Sequence, residues 1–517
     1  MALNDTEMEI KLVAATDEGW TALFALPLIA ERTVSGSIKE KKLESHYFDT
    51  PNGELARHGF AYRIRRTPDG LIATLKTAGR MEGGIAHRPE FETAVADLQP
   101  DLSVFDVQTI GADLPGLLGG EAPQLLFTVD VVRRQRELQL TEATRVEMAV
   151  DFGRILAPDK EAPVAEVEFE LLSGSTTDLL QFLAALTAQL PFEVAFKSKF
   201  RRGMDLLLSV HEIEDASSAV VLTEDLAWTE ALYTVLADYV GALLTEQRRF
   251  TLSGDGMPVF GRLLLELRYW LAFAKPLLKQ EDYDCFQQML GGLTEPFAAL
   301  FHIEALLADW QELSQEPLPL PGSVWIDKHL QERRDHLFSQ VMEARRKGAY
   351  TRALFALWAW ASQYPWAGQD ADKISSYGSQ RLQKWVQDLA GAVAVNHGSL
   401  SAGEACAFFP LSDKLAVVTA CLTPALSLAD DKVLQKVQGL RKSLGKLWID
   451  EYGKPVLRGL LKPGASRLVY RDAGLLAGWR LRSVQDALKG VEKKRAAWFS
   501  LVRKQTKRKK KKQQEKK

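Results

Sequence analysis

Eight short segments within residues 1–205 set charged side chains against apolar or aromatic ones at every second position. They read EMEIKLV, HYFDT, AYRIRR, LIATLKT, RPEFETAV, LFTVDVVR, TRVEMAV and AEVEFELL, with turn-forming stretches such as PNGELARHG and TPDG between them. A period of two is that of a β-strand, in which residues i, i+2 and i+4 share a face. On that face stand Glu7, Glu9 and Lys11; Arg63 and Arg65; Arg88, Glu90 and Glu92; Arg145, Glu147 and Asp151; Glu166, Glu168 and Glu170. A half-solvated sheet would carry a mixed polar face. Fully charged stripes on five strands fit either a salt-bridged outer face or a closed barrel with a charged lumen, and their repetition favours the barrel.

Beyond residue 206 the apolar spacing becomes three and four, which predicts amphipathic helices over 226–250, 259–278, 293–313, 329–362, 378–395, 431–448 and 476–502. A further helix is predicted at 178–190, with Thr177 or Asp178 as its cap. The expected organisation is therefore α+β: an eight-stranded antiparallel β tunnel over 1–205, an all-α helical-bundle domain over 220–500, and a disordered basic tail over 503–517. The two helical runs, about 222–362 and 375–500, hint at an internal duplication without clear identity between them.

The net charge of -2 hides strong asymmetry. Residues 1–205 hold 22 basic and 32 acidic side chains, whereas 503–517 hold ten basic and one acidic. A bulk-charge argument for nucleic-acid binding therefore fails everywhere except in the tail, which could attract polyphosphate, nucleic acid or acidic membrane surfaces. Cys285, Cys406 and Cys421 are too far apart for a disulfide framework or a cysteine zinc site. The opening MALNDTEMEIKL is polar, and no uninterrupted apolar run approaches the ~20 residues of a membrane span. A cytoplasmic protein with no transmembrane segment is expected.

Inward-facing acids and bases suit a particular ligand. Arg and Lys bind phosphate oxygens by charge-assisted bonds, while carboxylates tolerate phosphate only by holding a cation. Hard ions such as Mg²⁺ and Mn²⁺ prefer oxygen ligands. A metal–polyphosphate complex therefore fits such a lumen, and a neutral metabolite does not.

The same residues resemble a known family. Glu7-Met8-Glu9-Ile10-Lys11 is similar to the ExExK signature of the CYTH superfamily, the triphosphate tunnel metalloenzymes. In the family's order follow HYFDTP, Arg63-Ile64-Arg65, ATLK ending at Lys76, HRPEFE, Arg133, RVEMAVDFG, EVEFELLSG and Ser198-Lys199. The helical region resembles a CHAD domain, a type that carries histidines and arginines on helices as a polyphosphate-binding surface. Here the first-helix histidine is absent, Arg262 and Arg268 remain, and His211, His302, His329, His336 and His397 lie elsewhere.

The resemblance implies a tunnel open at both ends and hydrolysis of inorganic tripolyphosphate to pyrophosphate and phosphate. It implies Mg²⁺ or Mn²⁺, two per tunnel, on Glu7, Glu9, Glu168 and Glu170, with Glu90, Glu92, Asp151 and Glu166 as further candidates. Lys11, Arg63, Arg65, Lys76, Arg88, Arg133, Arg145 and Lys199 would grip the phosphates. Glu7, Glu9, Lys11, Lys76, Arg133, Glu168 and Glu170 would form the catalytic set. The alternatives are a class IV-type adenylate cyclase, another organic triphosphatase, or a non-catalytic polyphosphate-binding scaffold. Long-chain polyphosphate is a further expected partner, through the CHAD domain or the tail.

Overall fold

A computed structural model describes the chain outside residues 1–2, 16–17, 83–84, 107–109, 209–221, 253–256, 367–372, 395–400, 427–431, 461–465 and 515–517. The expected domain boundary at 206–220 falls mostly within one of these stretches, and His211 and His397 lie outside the described residues.

The chain forms two compact units, and the first comprises Met1–Ser218 with Ala237–Ser253 and Ala344–Gln363. Its strands are β1 (Leu3–Ala14), β2 (Lys39–Asp49), β3 (Ala61–Thr67), β4 (Gly70–Lys76), β5 (Arg80–Glu82), β6 (Ile85–Val95), β7 (Gln124–Gln139), β8 (Arg145–Leu156), β9 (Glu161–Ser173) and β10 (Phe192–Val194). The order β1-β9-β8-β7-β2-β3-β4-β6 closes because β6 pairs again with β1, giving an eight-stranded antiparallel barrel. The eight predicted strands are the eight members of this ring. β5 and β10 are three-residue additions, too short to show a period.

Alternation separates the barrel's two faces. Outward residues of β3, β4 and β6, including Ile64, Leu75 and Phe91, pack with Leu102, Phe105 and Leu114 from the segment before β7. Helix α1 (Glu18–Ala25) lies between β1 and β2 in sequence, and its Trp20 sets its ring edge-on to Phe152. Helix α2 (Thr176–Gln189) sets Phe182 edge-on to Phe169 of β9. Its cap is Ser175, not Thr177 or Asp178, because the Ser175 hydroxyl accepts the Asp178 N–H at 3.2 Å.

The tunnel expected to open at both ends has one end filled. Phe127, Val129, Val131, Ile155 and Val164 make an apolar patch, and Phe200, Met204 and Leu207 of α3 (Lys199–Leu208) pack against it. Close approach is possible because Gly203 has no side chain: a Cβ there would stand 2.3 Å from the Phe127 ring. The sequence reading placed no element at 199–208, since this one short helix supplies both a charged residue and an apolar plug.

Helix α4 (Trp228–Leu252) follows. Residues 237–253 and 344–363 belong to the barrel's unit, which a boundary near 205 did not foresee. Arg345 bonds Glu193 of β10 at 2.5 Å, and the Thr177 hydroxyl donates to the Ser362 carbonyl at 3.1 Å.

The second unit comprises Ala219–Leu236, Gly254–Glu343 and Tyr364–Lys517. Its helices include α5 (Met257–Ala274) and α6 (Gln280–Ser314). The predicted 329–362 helix is two, α7 (Ser323–Arg346) and α8 (Ala349–Ala361), divided by Gly348 at φ +68°. Then come α9 (Ile374–Ala394), α10 (Phe409–Leu426), α11 (Lys432–Leu460) and α12 (Arg467–Gln514). The segment expected to be a disordered tail is helical to Gln514. It contains no Gly or Pro, and Lys, Arg and Gln are good helix formers. Residues 402–426 pass a length and composition test for a membrane span, at a mean hydropathy of 1.5, but 61% of that apolar window is buried, as in a core helix.

Candidate active site

Barrel register brings the charged stripes together. Across β1 and β9, Lys11 stands opposite Glu168 and Glu9 opposite Glu170. Across β8 and β9, Glu147 faces Glu170 and Asp151 faces Glu166. Asp151 in turn faces Arg133 of β7, and Lys76 of β4 faces Glu90 of β6. The result is a cavity of about 260 Å³, lined by seven cations and five carboxylates. The cations are Lys11, Arg63, Arg65, Lys76, Arg88, Arg133 and Lys199; the carboxylates are Glu9, Glu90, Glu92, Glu168 and Glu170.

Glu168 is the hub. Its carboxylate takes Lys11 Nζ at 3.0 Å, Arg133 Nη2 at 2.6 Å and Lys199 Nζ at 2.9 Å. Lys199 also reaches Glu166 at 2.5 Å and Asp151 at 2.7 Å, both wholly buried. Arg202 adds a bond to Glu166 at 3.0 Å. Asp151 and Glu166 therefore stand behind the lining, paired with the bases that face the lumen. Burial alone would raise the carboxyls, yet Lys11, Lys199 and Arg133 hold Glu168 well below the usual range, and Lys199 and Arg133 hold Asp151 down at about 2. Burial likewise opposes the charge on Lys11 and Arg133, but their carboxylate partners raise both.

Two groups depart in the opposite sense. Burial, then Glu147 and Glu9, push Glu170 up to about 7. Burial together with Arg63 and Arg133 brings Arg65 down to about 10. Arg65 donates to Ser45 Oγ at 3.0 Å and has no carboxylate in contact among the described residues. The lumen thus has a crowded anionic edge at Glu9, Glu170 and Glu147, and an under-neutralised cation at Arg65.

Most predicted site residues meet here, Arg145 does not, and Glu7 is not described at its side chain. Arg145 is about half exposed and pairs with Glu137 at 3.2 Å. The strand register shifts between Arg145 and Val146, so the two-residue alternation does not carry Arg145 into the lumen. Glu7 stands opposite Arg88 in the β1–β6 register, but its side chain lies outside what the structure describes. Sequence reasoning assigned no site role to Glu147, although it lay on the charged stripe. It also passed over Tyr47, whose position between Ser45 and the next charged strand carries no charge signal. Burial would raise the Tyr47 phenol, yet the guanidiniums of Arg63 and Arg65 hold it below its ordinary value.

The donor set fits a hard divalent cation. Oxygen ligands of Asp151, Glu166 and Glu168 lie within 4.8 Å of one another, and the Glu9–Glu170–Glu147 row brings like charges together across three adjacent strands. Lys199 already neutralises the first group. In the second, Lys11 pairs with Glu9 at 2.7 Å, so the crowding falls on Glu170, whose rise records it and which protonation or a cation would relieve.

Residues 5–204 match the family model described as the CYTH domain, and residues 263–449 match that of the CHAD domain. The chain therefore joins a CYTH domain to a CHAD domain. An inorganic triphosphatase of Haemophilus influenzae is 29% identical over 202 residues, 38% of this chain and 54% of that protein. The chain thus spans about half the length of the curated relative it matches. A Hippeastrum protein described as an adenylyl cyclase with dominant triphosphatase activity is 19% identical, covering 40% of this chain and all of its own, at a TM-score of 0.27. The CHAD domain of Ricinus communis is 18% identical, covering 56% of this chain and 98% of its own, at 0.44.

Proposed function

We propose that the barrel is a metal-dependent inorganic triphosphatase that hydrolyses tripolyphosphate to pyrophosphate and phosphate. The observation that carries this reading is the lumen: seven bases and five acids around a cavity stopped at one end by α3. The name of the Haemophilus influenzae relative supports it.

In this reading Arg63, Arg65, Arg88 and Lys76 grip the phosphate chain, with Arg65 available to it because, among the described residues, no carboxylate is in contact with its guanidinium. Lys11, Arg133 and Lys199 keep Glu168 ionised, and they face the charge that grows on the transferring phosphoryl oxygens. Glu9, Glu168 and Glu170, with Glu147 beside them, would hold the Mg²⁺ or Mn²⁺; Glu7 joins that set by sequence. The cation supplies charge neutralisation and polarises the phosphoanhydride oxygens. Glu90 orients Lys76 and Arg63, at 2.5 and 3.1 Å, and Glu92 accepts the Thr74 hydroxyl. None of the three cysteines is in a disulfide, which fits a reducing compartment, and we place the protein in the cytoplasm.

The test is phosphate release by the whole chain from tripolyphosphate, ATP, thiamine triphosphate and long-chain polyphosphate, with Mg²⁺, Mn²⁺ or a chelator. Cleavage of tripolyphosphate that is strongly preferred and lost with chelator is expected. Cyclic AMP from ATP would replace the reading with a cyclase. Binding without turnover under any metal would make the lumen a phosphate-binding scaffold.

A further inference from the structure

The helical unit holds a cavity of its own, about 590 Å³ in volume and shaped by α5, α6, α10 and α11. That is within the ~300–1,000 Å³ of small-molecule sites. The rings of Phe297, Phe301, Phe409 and Trp448 form much of its wall, while Arg262, Arg441 and Lys442 bring positive charge to it. Phe301 is 42% exposed, a large apolar ring left facing water.

The cationic side is built with care. Asp413 is wholly buried and does not line the cavity. It accepts Arg262 Nη1 at 3.1 and 2.8 Å, Arg441 Nε at 2.5 Å and the Tyr269 hydroxyl at 2.8 Å. One carboxylate thus fixes two guanidiniums from behind. Arg262 Nη2 is buried and, among the described residues, has no hydrogen-bond partner. The single acid that lines the cavity, Glu304, lies 3.6 Å from Arg334. Arg262 Nε also donates to Glu266 at 2.6 Å, so the cavity sets two held guanidiniums and the exposed Lys442 beside an aromatic wall, while the buried Arg262 Nη2 is left unmatched at a cost.

A chain of phosphates is a poor occupant, because its later charges would lie against aromatic rings away from any donor. A single anionic group on an apolar body matches both surfaces. We infer that this cavity binds an amphipathic monoanion, an organic carboxylate whose head group takes Arg262, Arg441 and Lys442 and whose hydrocarbon or aryl body lies along Phe297, Phe301, Phe409 and Trp448.

The experiment is calorimetric titration of the full-length protein with decanoate, with decan-1-ol as its neutral twin and long-chain polyphosphate as competitor. One decanoate per chain is expected, at least tenfold tighter than decan-1-ol and not displaced by polyphosphate. Lys442→Gln, at an exposed position, is expected to weaken decanoate at least threefold. Ala298→Phe, which places a ring inside the cavity, is expected to abolish binding with the melting midpoint unchanged. The inference fails if binding does not saturate, if the alcohol binds as tightly as the acid, or if neither variant alters the titration. Displacement by polyphosphate would assign the cavity to phosphate chains instead.

Discussion

Lys199 reaches Glu166, Asp151 and Glu168 within 2.5–2.9 Å, and two of those acids have no exposure at all. Removing one partner of a buried ion cluster leaves the others desolvated and unmatched, at about 3–5 kcal/mol. Lys199→Met is therefore expected to lower unfolding free energy by roughly 3 kcal/mol in urea titration; a loss under about 1 kcal/mol would mean that Arg133 and Arg202 neutralise the cluster alone. Glu168→Gln keeps the shape but removes the charge on which three bases converge. Turnover of tripolyphosphate is expected to fall about 100-fold or more, the scale of losing one preorganised electrostatic contact. His302 gives a pH signature in the other unit. Burial, then Arg480, brings it down to about 4 from an ordinary 6.5, so folding favours its neutral form. Its contribution is complete above pH 6.5 and is lost as pH falls through about 4. His302→Phe, which keeps a ring against Trp448, is expected to flatten the fall in melting midpoint between those pH values. Among individual residues, the lumen's charged members were legible because charge at every second position is rare, while Tyr47 and the displaced Arg145 depend on register and a local bulge that no side chain announces.

Helix α3 shows how one element sets both stability and geometry. It begins at Lys199, stops one end of the lumen with Phe200, Met204 and Leu207, and passes Phe127 at Gly203. Gly203→Ala would push its Cβ into the Phe127 ring, so the helix must shift; overpacking of this kind costs about 1–3 kcal/mol. Urea unfolding should show that loss, and tripolyphosphate turnover should drop with it because Lys199 rides on the same helix. An alanine variant with wild-type stability and turnover would mean that Phe127 moves aside freely. The ring strands could be read from sequence because each shows one polar and one apolar face. Helix α10 could not: Leu415, Ala416, Val417, Val418 and Leu422 are all buried, so it has no polar face to mark a helical period. The start of α6 was missed for another reason. Gly291, Gly292 and Pro296 look like a break, yet the helix runs through them from Gln280 to Ser314. Proline there removes one backbone bond, which packing of Phe286, Leu290 and Phe297 on the same helix offsets.

At the scale of the whole molecule, the barrel is not finished by its own strands. Its unit includes residues 237–253 and 344–363, tied on by Arg345 to Glu193 and by Thr177 to the Ser362 carbonyl. A chain ending at Leu208 is expected to melt at least 5 °C below the full-length protein. That shift is the size produced by losing about 1.3–2.5 kcal/mol in a domain of about 200 residues, where about 1 kcal/mol moves the midpoint by about 2–4 °C. Equal melting would show the strands sufficient by themselves. Ending the chain at Leu501 instead should leave tripolyphosphate turnover within twofold, since the basic run contributes none of the described residues that line the lumen. This arrangement also sets a timetable during synthesis. The last barrel partner, Gln363, emerges 155 residues after Leu208. At about 5–20 residues per second that is a wait of roughly 8–30 s. For that interval a nascent tunnel, dense in like charges and missing part of its outer support, must be kept from premature pairing, and the ribosome-bound chain is its most vulnerable form.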